Sequence, residues 1–275
     1  MTYATLMVHL ELGRSNAGLL RLAGEVAERF RAGVIGIAGS QIMLTSYNDG
    51  YVPGDVIVQV HDEAKQQIKE AEAEFRNALR TNAGPLEWRS TVMSASLSEY
   101  IASEARSADL VMTSVNSADL LNASRLINAG ELIMQVGRPV LIVPGVTDKL
   151  NLERIIVGWK DTREARRAAF DALPLLKKAA HVTVVELAEA GELSGSRTSV
   201  KEVVEWLKRH GVEAEFIAAR STGDEAAQLN AIAQEKDAGI IVAGAYGHNR
   251  LREFVFGGVT RNLLKCANHC SFMSH

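Results

Sequence analysis

Two α/β domains in tandem, each an open five-stranded parallel sheet with helices on both faces, are what this 275-residue sequence predicts. Three observations carry that expectation: apolar strands alternate with helical patterns, the alternation occurs twice in similar form, and a proline- and glycine-bearing junction separates the copies. ATLMVHLELGRSNAGLLRLAGEVAERF (4–30) and ERIIVGWKDTREARRAAFDALPLL (153–176) open the copies, each leading a short apolar strand through a turn into an amphipathic helix. Second strands follow, GVIGIAG at 33–39 and HVTVVELA at 181–188, and then a charged helix. Gly84 and Gly211 end these helices, where a residue of positive φ costs little. A third, alternating strand leads to a short helix, with Ser96 or Ser98 and Asp224 as N-cap candidates. Fourth strands, ADLVMTS (108–114) and AGIIVAG (238–244), complete the shared plan, and PVLIV (139–143) and SFMS (271–274) supply the fifth.

This order implies right-handed crossovers between parallel strands in each copy. The junction VPGVTDKLN (143–151) places the boundary at about residue 148, giving domains 1–147 and 148–275. Leu6 aligns with Ile155, an offset of 149, and Ala108 with Ala238, an offset of 130, so the first copy carries a net insertion. SQIMLTSYNDGYVPGD (40–55), rich in turn formers, accommodates most of it before a helix at 56–82. Within that helix, KQQIKEAEAEFRNALR (65–80) bears opposite charges at helical spacing and reads as a solvated face.

Composition narrows the function. Thirty Lys and Arg against 33 Asp and Glu leave a net charge of -3, without the basic field that generic nucleic-acid or anionic-membrane binding needs. No apolar run approaches the roughly 18 residues of a membrane span, and MTYATLMVHLELG lacks the charged start and cleavage site of a secretion signal. Two cysteines, Cys266 and Cys270, are too few for a disulfide framework. The expectation is a cytoplasmic protein.

GAYGHNRLREFVFGGVT (244–260) is the motif with chemical content. A strand that ends in glycines and passes to a helix lets the backbone approach a phosphate and presents unpaired N–H groups to it. Glycine at such turns also serves geometry alone, so the spacing by itself leaves both readings open. The first copy differs: Ser114 and Ser117 stand at the glycine positions, 12 residues precede Gly130 where the second copy has nine, and Glu131 replaces Gly258. A carboxylate there would occupy the helix N-terminus and repel phosphate, so phosphate binding is expected in the second domain alone.

G-x2-G-x9-G followed by a small residue, placed after the fourth strand, resembles the signature of the universal stress protein family, and GAYGHNRLREFVFGGVTRNLL fits it along its length. The strand-one openings, GRPVLIVP and SFMSH extend the resemblance over both copies as a tandem two-domain member, with the adenine-nucleotide alpha hydrolase-like fold. What the resemblance implies is an adenine nucleotide, ATP with Mg as an optional companion. Its contacts would be Gly244, Gly247, Gly257, Gly258, Val259 and Thr260, with Gly158, Trp159 and Lys160 at the strand-one end and His248 and Arg250 adding positive charge. Two departures stand out. Gly258 occupies a position where the family has Ser or Thr, and Lys160 stands where it has an acid, with Asp161 next to it. The family also implies pairing of domains or subunits through the last strands, hence a homodimer and a protein partner.

The functional expectation is a regulatory, stress-response, ATP-binding protein without strong catalysis. A slow ATPase and a nucleotide-free scaffold are the alternatives; no SGGxDS-type or HIGH-type synthetase motif is present. Cys266, His269, Cys270 and His275 imitate a zinc cluster, but their spacing spans a helix end and a strand, and a structural role is preferred. His9 and His181 are expected as packed, hydrogen-bonded strand residues, and Trp159 divides between packing and stacking on adenine.

Overall fold

In the computed structural model, residues 2–41, 54–93, 96–115, 127–145, 151–189, 191–245 and 269–275 are described. They form two compact units, one covering Tyr3–Val136 and the other Gly137–His275 together with residues 1–2.

In the amino-terminal unit, β1 (Thr5–His9), β2 (Gly33–Gln41), β3 (Leu86–Met93) and β4 (Leu110–Val115) are parallel in the order β3-β2-β1-β4. Apolar periodicity selects the helices that cover them. The 14-residue α1 (Ala17–Phe30) buries Leu19, Leu20, Leu22, Val26 and Phe30, and α2 (Gly54–Leu79) buries Ala64, Ile68, Ala71, Phe75 and Leu79. The other side of α2 is solvated, with ion pairs such as Arg76–Glu72 at 2.8 Å. α3 (Leu97–Glu104) and α4 (Ala129–Gln135) complete the unit. A Cβ at Gly36 would meet Phe75 of α2 and one at Gly39 would meet Leu97 of α3, and these positions point to opposite faces, so both faces of the sheet are covered. The predicted helix 56–82 is observed as α2, and the remainder of the 40–55 insertion, from residue 42 to 53, lies outside the described residues.

The carboxyl-terminal unit contains β5 (Val140–Pro144), β6 (Arg154–Trp159), β7 (His181–Ala188), β8 (Ala214–Arg220), β9 (Ile240–Gly244) and β10 (Cys270–Ser274) in the order β5-β10-β9-β6-β7-β8. Five of them, β10 to β8, are mutually parallel as expected. β5 is antiparallel to β10, with Leu141 opposite Phe272, so the sheet is mixed. The two closing strands named from the sequence thus pair with each other, with β5 grouped in this unit. Neither strand's own residues encode the direction of its partner, which is why the pairing sense was not legible in advance. The helices are α5 (Arg163–Asp171), α6 (Leu173–Leu176), α7 (Leu193–Arg209) and α8 (Glu225–Glu235). Gly158 faces Leu229 of α8 while the neighbouring Trp159 reaches Ser199 of α7, placing these helices on opposite faces.

Local signals behave as their chemistry requires, with three exceptions. Asp224 caps α8 by accepting the Ala227 N–H at 3.0 Å, and Ser96 is the N-cap residue of α3 by position, without a side-chain bond. Gly211 adopts φ +78 after α7. Gly84 instead serves close approach, since a Cβ there would lie 3.1 Å from the Ala32 carbonyl oxygen. His181, expected to be packed, is exposed at the amino end of β7.

His9 is packed as expected, 1% exposed, with Nδ1 3.0 Å from the Thr113 hydroxyl. Burial pushes its pKa down to about 4. Because the folded value lies below the unfolded one, the unfolded chain binds more protons between these values, and stability is lost as pH falls from about 6.5 toward 4. The loss reaches about 2 to 3 kcal/mol. Denaturant unfolding of the wild type and of His9→Gln at pH 7 and pH 4.5 checks this: the variant should lack that part of the pH dependence, and identical dependences would exclude His9 as its source.

Candidate functional site

In the carboxyl-terminal unit the chain proceeds from β6 outward through β7 to β8 and then returns to β9 on the other flank of β6. Strand order therefore reverses between β6 and β9, and ligands of open α/β sheets bind beyond the carboxyl ends of the strands at such a reversal. Gly158 and Trp159 end β6, Lys160 follows directly, and Gly244 ends β9, with Gly158 beside Ala243 in the register. These four predicted residues are brought together. Gly247, His248, Arg250, Gly257, Gly258, Val259 and Thr260 lie outside the described residues.

Gly244 has a packing function that its backbone imposes. A Cβ at this position would sit 2.5 Å from the amide nitrogen of Ala165 and 2.9 Å from the Cβ of Glu164, in the first turn of α5. Thr162 caps that helix, its hydroxyl accepting the Ala165 N–H at 3.3 Å. Glu164 is buried there; burial would raise its carboxyl, but the hydrogen bond and charge of Arg163, with Thr162, hold it below the usual range. Gly158 is also tight, a Cβ there lying 3.1 Å from Leu229.

The Trp159 ring is 8% exposed and its indole N–H donates to the Ser199 hydroxyl at 3.1 Å, so the packing reading accounts for this side chain. Lys160 is half-exposed, with Nζ 3.7 Å from Glu225 in the first turn of α8, and Asp161 pairs with Arg166. Glu186, opposite Trp159 in the register, was not singled out from the sequence. Only 7% exposed, it has one carboxylate oxygen without a hydrogen-bond partner among the described residues. Burial raises its pKa, against a hydrogen bond from Ser196. The available signal was an acidic residue interrupting the apolar run HVTVVELA.

The amino-terminal unit has the same reversal between β1 and β4, filled differently. Ser114 donates to the buried Glu11 carboxylate at 3.1 Å, and Asn16 accepts the Glu11 N–H at 2.9 Å. Asn128 caps α4 by accepting the Glu131 N–H, while the Glu131 carboxylate takes Gln135 at 3.4 Å and Ser96 at 3.5 Å. Ser117 lies outside the described residues. Elsewhere, His269 contacts the Ala238 carbonyl at 2.9 Å and His275 the Ala245 carbonyl at 3.1 Å. They flank β10 about 20 Å apart at the rise of an extended strand. The Cys270 thiol is buried and its pKa driven upward by that burial, and Cys266 lies outside the described residues. Among the described residues no helix is long and apolar enough to cross a membrane.

A model of the Universal stress protein family matches residues 151–270. A universal stress protein from Archaeoglobus fulgidus has a similar fold, with TM-score 0.71 and 16% identity over 98% of this chain and 95% of that one. A functionally unknown protein from Pseudomonas aeruginosa follows with TM-score 0.63 and 14% identity, covering 99% and 92% of the two chains. No curated protein matches the sequence.

The contact at Gly244 gives a stability test. Gly244→Ala must displace backbone rather than a flexible side chain, and is expected to cost about 2 to 3 kcal/mol in denaturant unfolding. An unchanged midpoint would show that the first turn of α5 can move away freely.

Proposed function

We propose, from the match of residues 151–270 to a model of the universal stress protein family, that the protein is a cytoplasmic, stress-response regulator that binds an adenine nucleotide, ATP with or without Mg, in its carboxyl-terminal domain. The observation that carries this reading is the meeting of Gly158, Trp159 and Lys160 with Gly244 at the strand-order reversal, where the G-x2-G-x9-G run begins. Gly247, Gly257, Gly258 and Val259 offer main-chain N–H groups to phosphates. Thr260 supplies the hydroxyl that Gly258 lacks, and His248 and Arg250 add positive charge. Gly158 and the Lys160 backbone lie toward the base. Trp159 contributes through its main chain, its ring being committed to Ser199. Binding shifts a population seen by a protein partner or a second copy in a homodimer, so no bond is broken in the regulatory step.

The packing of Gly244 against α5 favours one competitor, a nucleotide-free scaffold, since that glycine is required whether or not phosphate binds. Mass spectrometry of small molecules released on denaturing the purified protein separates the two readings: an adenine nucleotide supports ours. Equilibrium binding of labelled ATP to wild type and Gly247→Glu tests the motif. The introduced carboxylate should weaken binding on the order of 100-fold, about 3 kcal/mol, and equal affinities would exclude the motif. Turnover in wild type that this variant abolishes would establish slow hydrolysis instead of pure binding.

A further inference from the structure

We propose that a groove at the amino-terminal ends of β6, β7 and β8, on the rim opposite the glycine motif, binds a small dipolar ion whose ammonium and carboxylate are several bonds apart, such as an ω-amino acid or a dipeptide. The groove has a volume of about 360 Å³, at the small end for ligand sites.

Its shape follows from strand register. Arg154 pairs with His181, and Val182 with Ala214, so Arg154, His181 and Glu213 form one row across the three strands. Two residues further on, and therefore on the same face, Ile156, Thr183 and Glu215 form a second row. Lys236, just beyond α8, closes the groove from above: its Nζ donates to Glu215 at 2.8 Å, and Thr183 donates to the same carboxylate oxygen at 3.0 Å. The Lys236 hydrogen bond, with that of Thr183, holds the Glu215 carboxyl below its usual range.

Two groups remain uncommitted. The Arg154 guanidinium makes one long bond, 3.4 Å, to the Lys236 carbonyl and has no carboxylate partner among the described residues. Glu213 is exposed and has no cation partner among them. With Lys236 and Glu215 neutralising one another, the free charges are one cation and one anion, and the ligand that complements them carries one of each. A simple anion would meet Glu213, Glu215 and the carbonyl end of α8; a simple cation would meet Arg154 and Lys236. The two free groups stem from strands two apart, their backbones about 10 Å distant. That separation suits charges at the ends of a short chain, with the carboxylate on the guanidinium fork and the ammonium on Glu213. Ile156 and Ala238 supply the apolar part of the lining, and the His181 ring stands between Arg154 and Glu213 in the row.

Calorimetric titration of the full chain with 4-aminobutyrate, glycylglycine, butyrate and butylamine tests the assignment. Saturable binding of the dipolar probes is expected in the millimolar range or tighter, with the singly charged probes about tenfold weaker or more. Arg154→Gln and Glu213→Gln, both on the solvated rim and checked for unchanged circular dichroism, should each weaken the dipolar probes about tenfold. Gly247→Glu should leave them unaffected, which keeps this site distinct from the nucleotide site. Equal binding of butyrate, indifference to both rim variants, or no saturable binding in the millimolar range would overturn the proposal.

Discussion

At Gly244 the main chain of β9 and the first turn of α5 come so close that a single methyl group would overlap the amide of Ala165. The position of α5 follows from that approach, and with it those of Thr162 at its cap and the buried Glu164. The carboxyl ends of β6 and β9 are shaped by this contact before any ligand is considered. The glycine that begins the G-x2-G-x9-G run is also the residue that lets a helix lie on a strand, and that packing alone asks for bare backbone at the strand end.

Much of this was legible from residue order. Alternating apolar strands and amphipathic helices specify an α/β sheet through two periodicities, and duplication repeats the message. Asp224 and Gly211 act as their side chains, or lack of one, dictate. Illegible features depend on neighbours distant in sequence. Gly84 and Gly211 look alike in the chain, yet one answers to the Ala32 carbonyl and the other to its own φ. His181 lies on a strand as expected, but whether a strand's first residue is covered depends on what packs over it, and His181 is exposed. Glu186 acquires its character from burial beside α7, which a lone acidic letter in an apolar run does not disclose.

The two units also show how one plan tolerates opposite chemistry at the same place. Where β6 ends in Gly158 and Trp159 and β9 in Ala243 and Gly244, the ends of β1 and β4 carry Glu11, Ser114, Thr113 and His9, hydrogen-bonded in pairs and sealed from solvent. Buried polar groups of this kind persist when their hydrogen bonds are satisfied internally. The amino-terminal crevice has filled itself with its own side chains, and Glu131 with Asn128 attends to the helix start that would otherwise seek an anion.

The antiparallel pairing of β5 with β10 bears on the timing of folding. Val140 meets Met273 and Ile142 meets Ser271, partners 133 and 129 residues apart in the chain. Contacts of such separation carry a large loop-closure cost and form late, after the nearer strand–helix–strand units have reduced the effective loop. On a ribosome, β5 emerges more than a hundred residues ahead of β10. Until β10 follows, the flank of β5 that it will cover is an open strand edge, the kind of surface that chaperones shield and other chains invade.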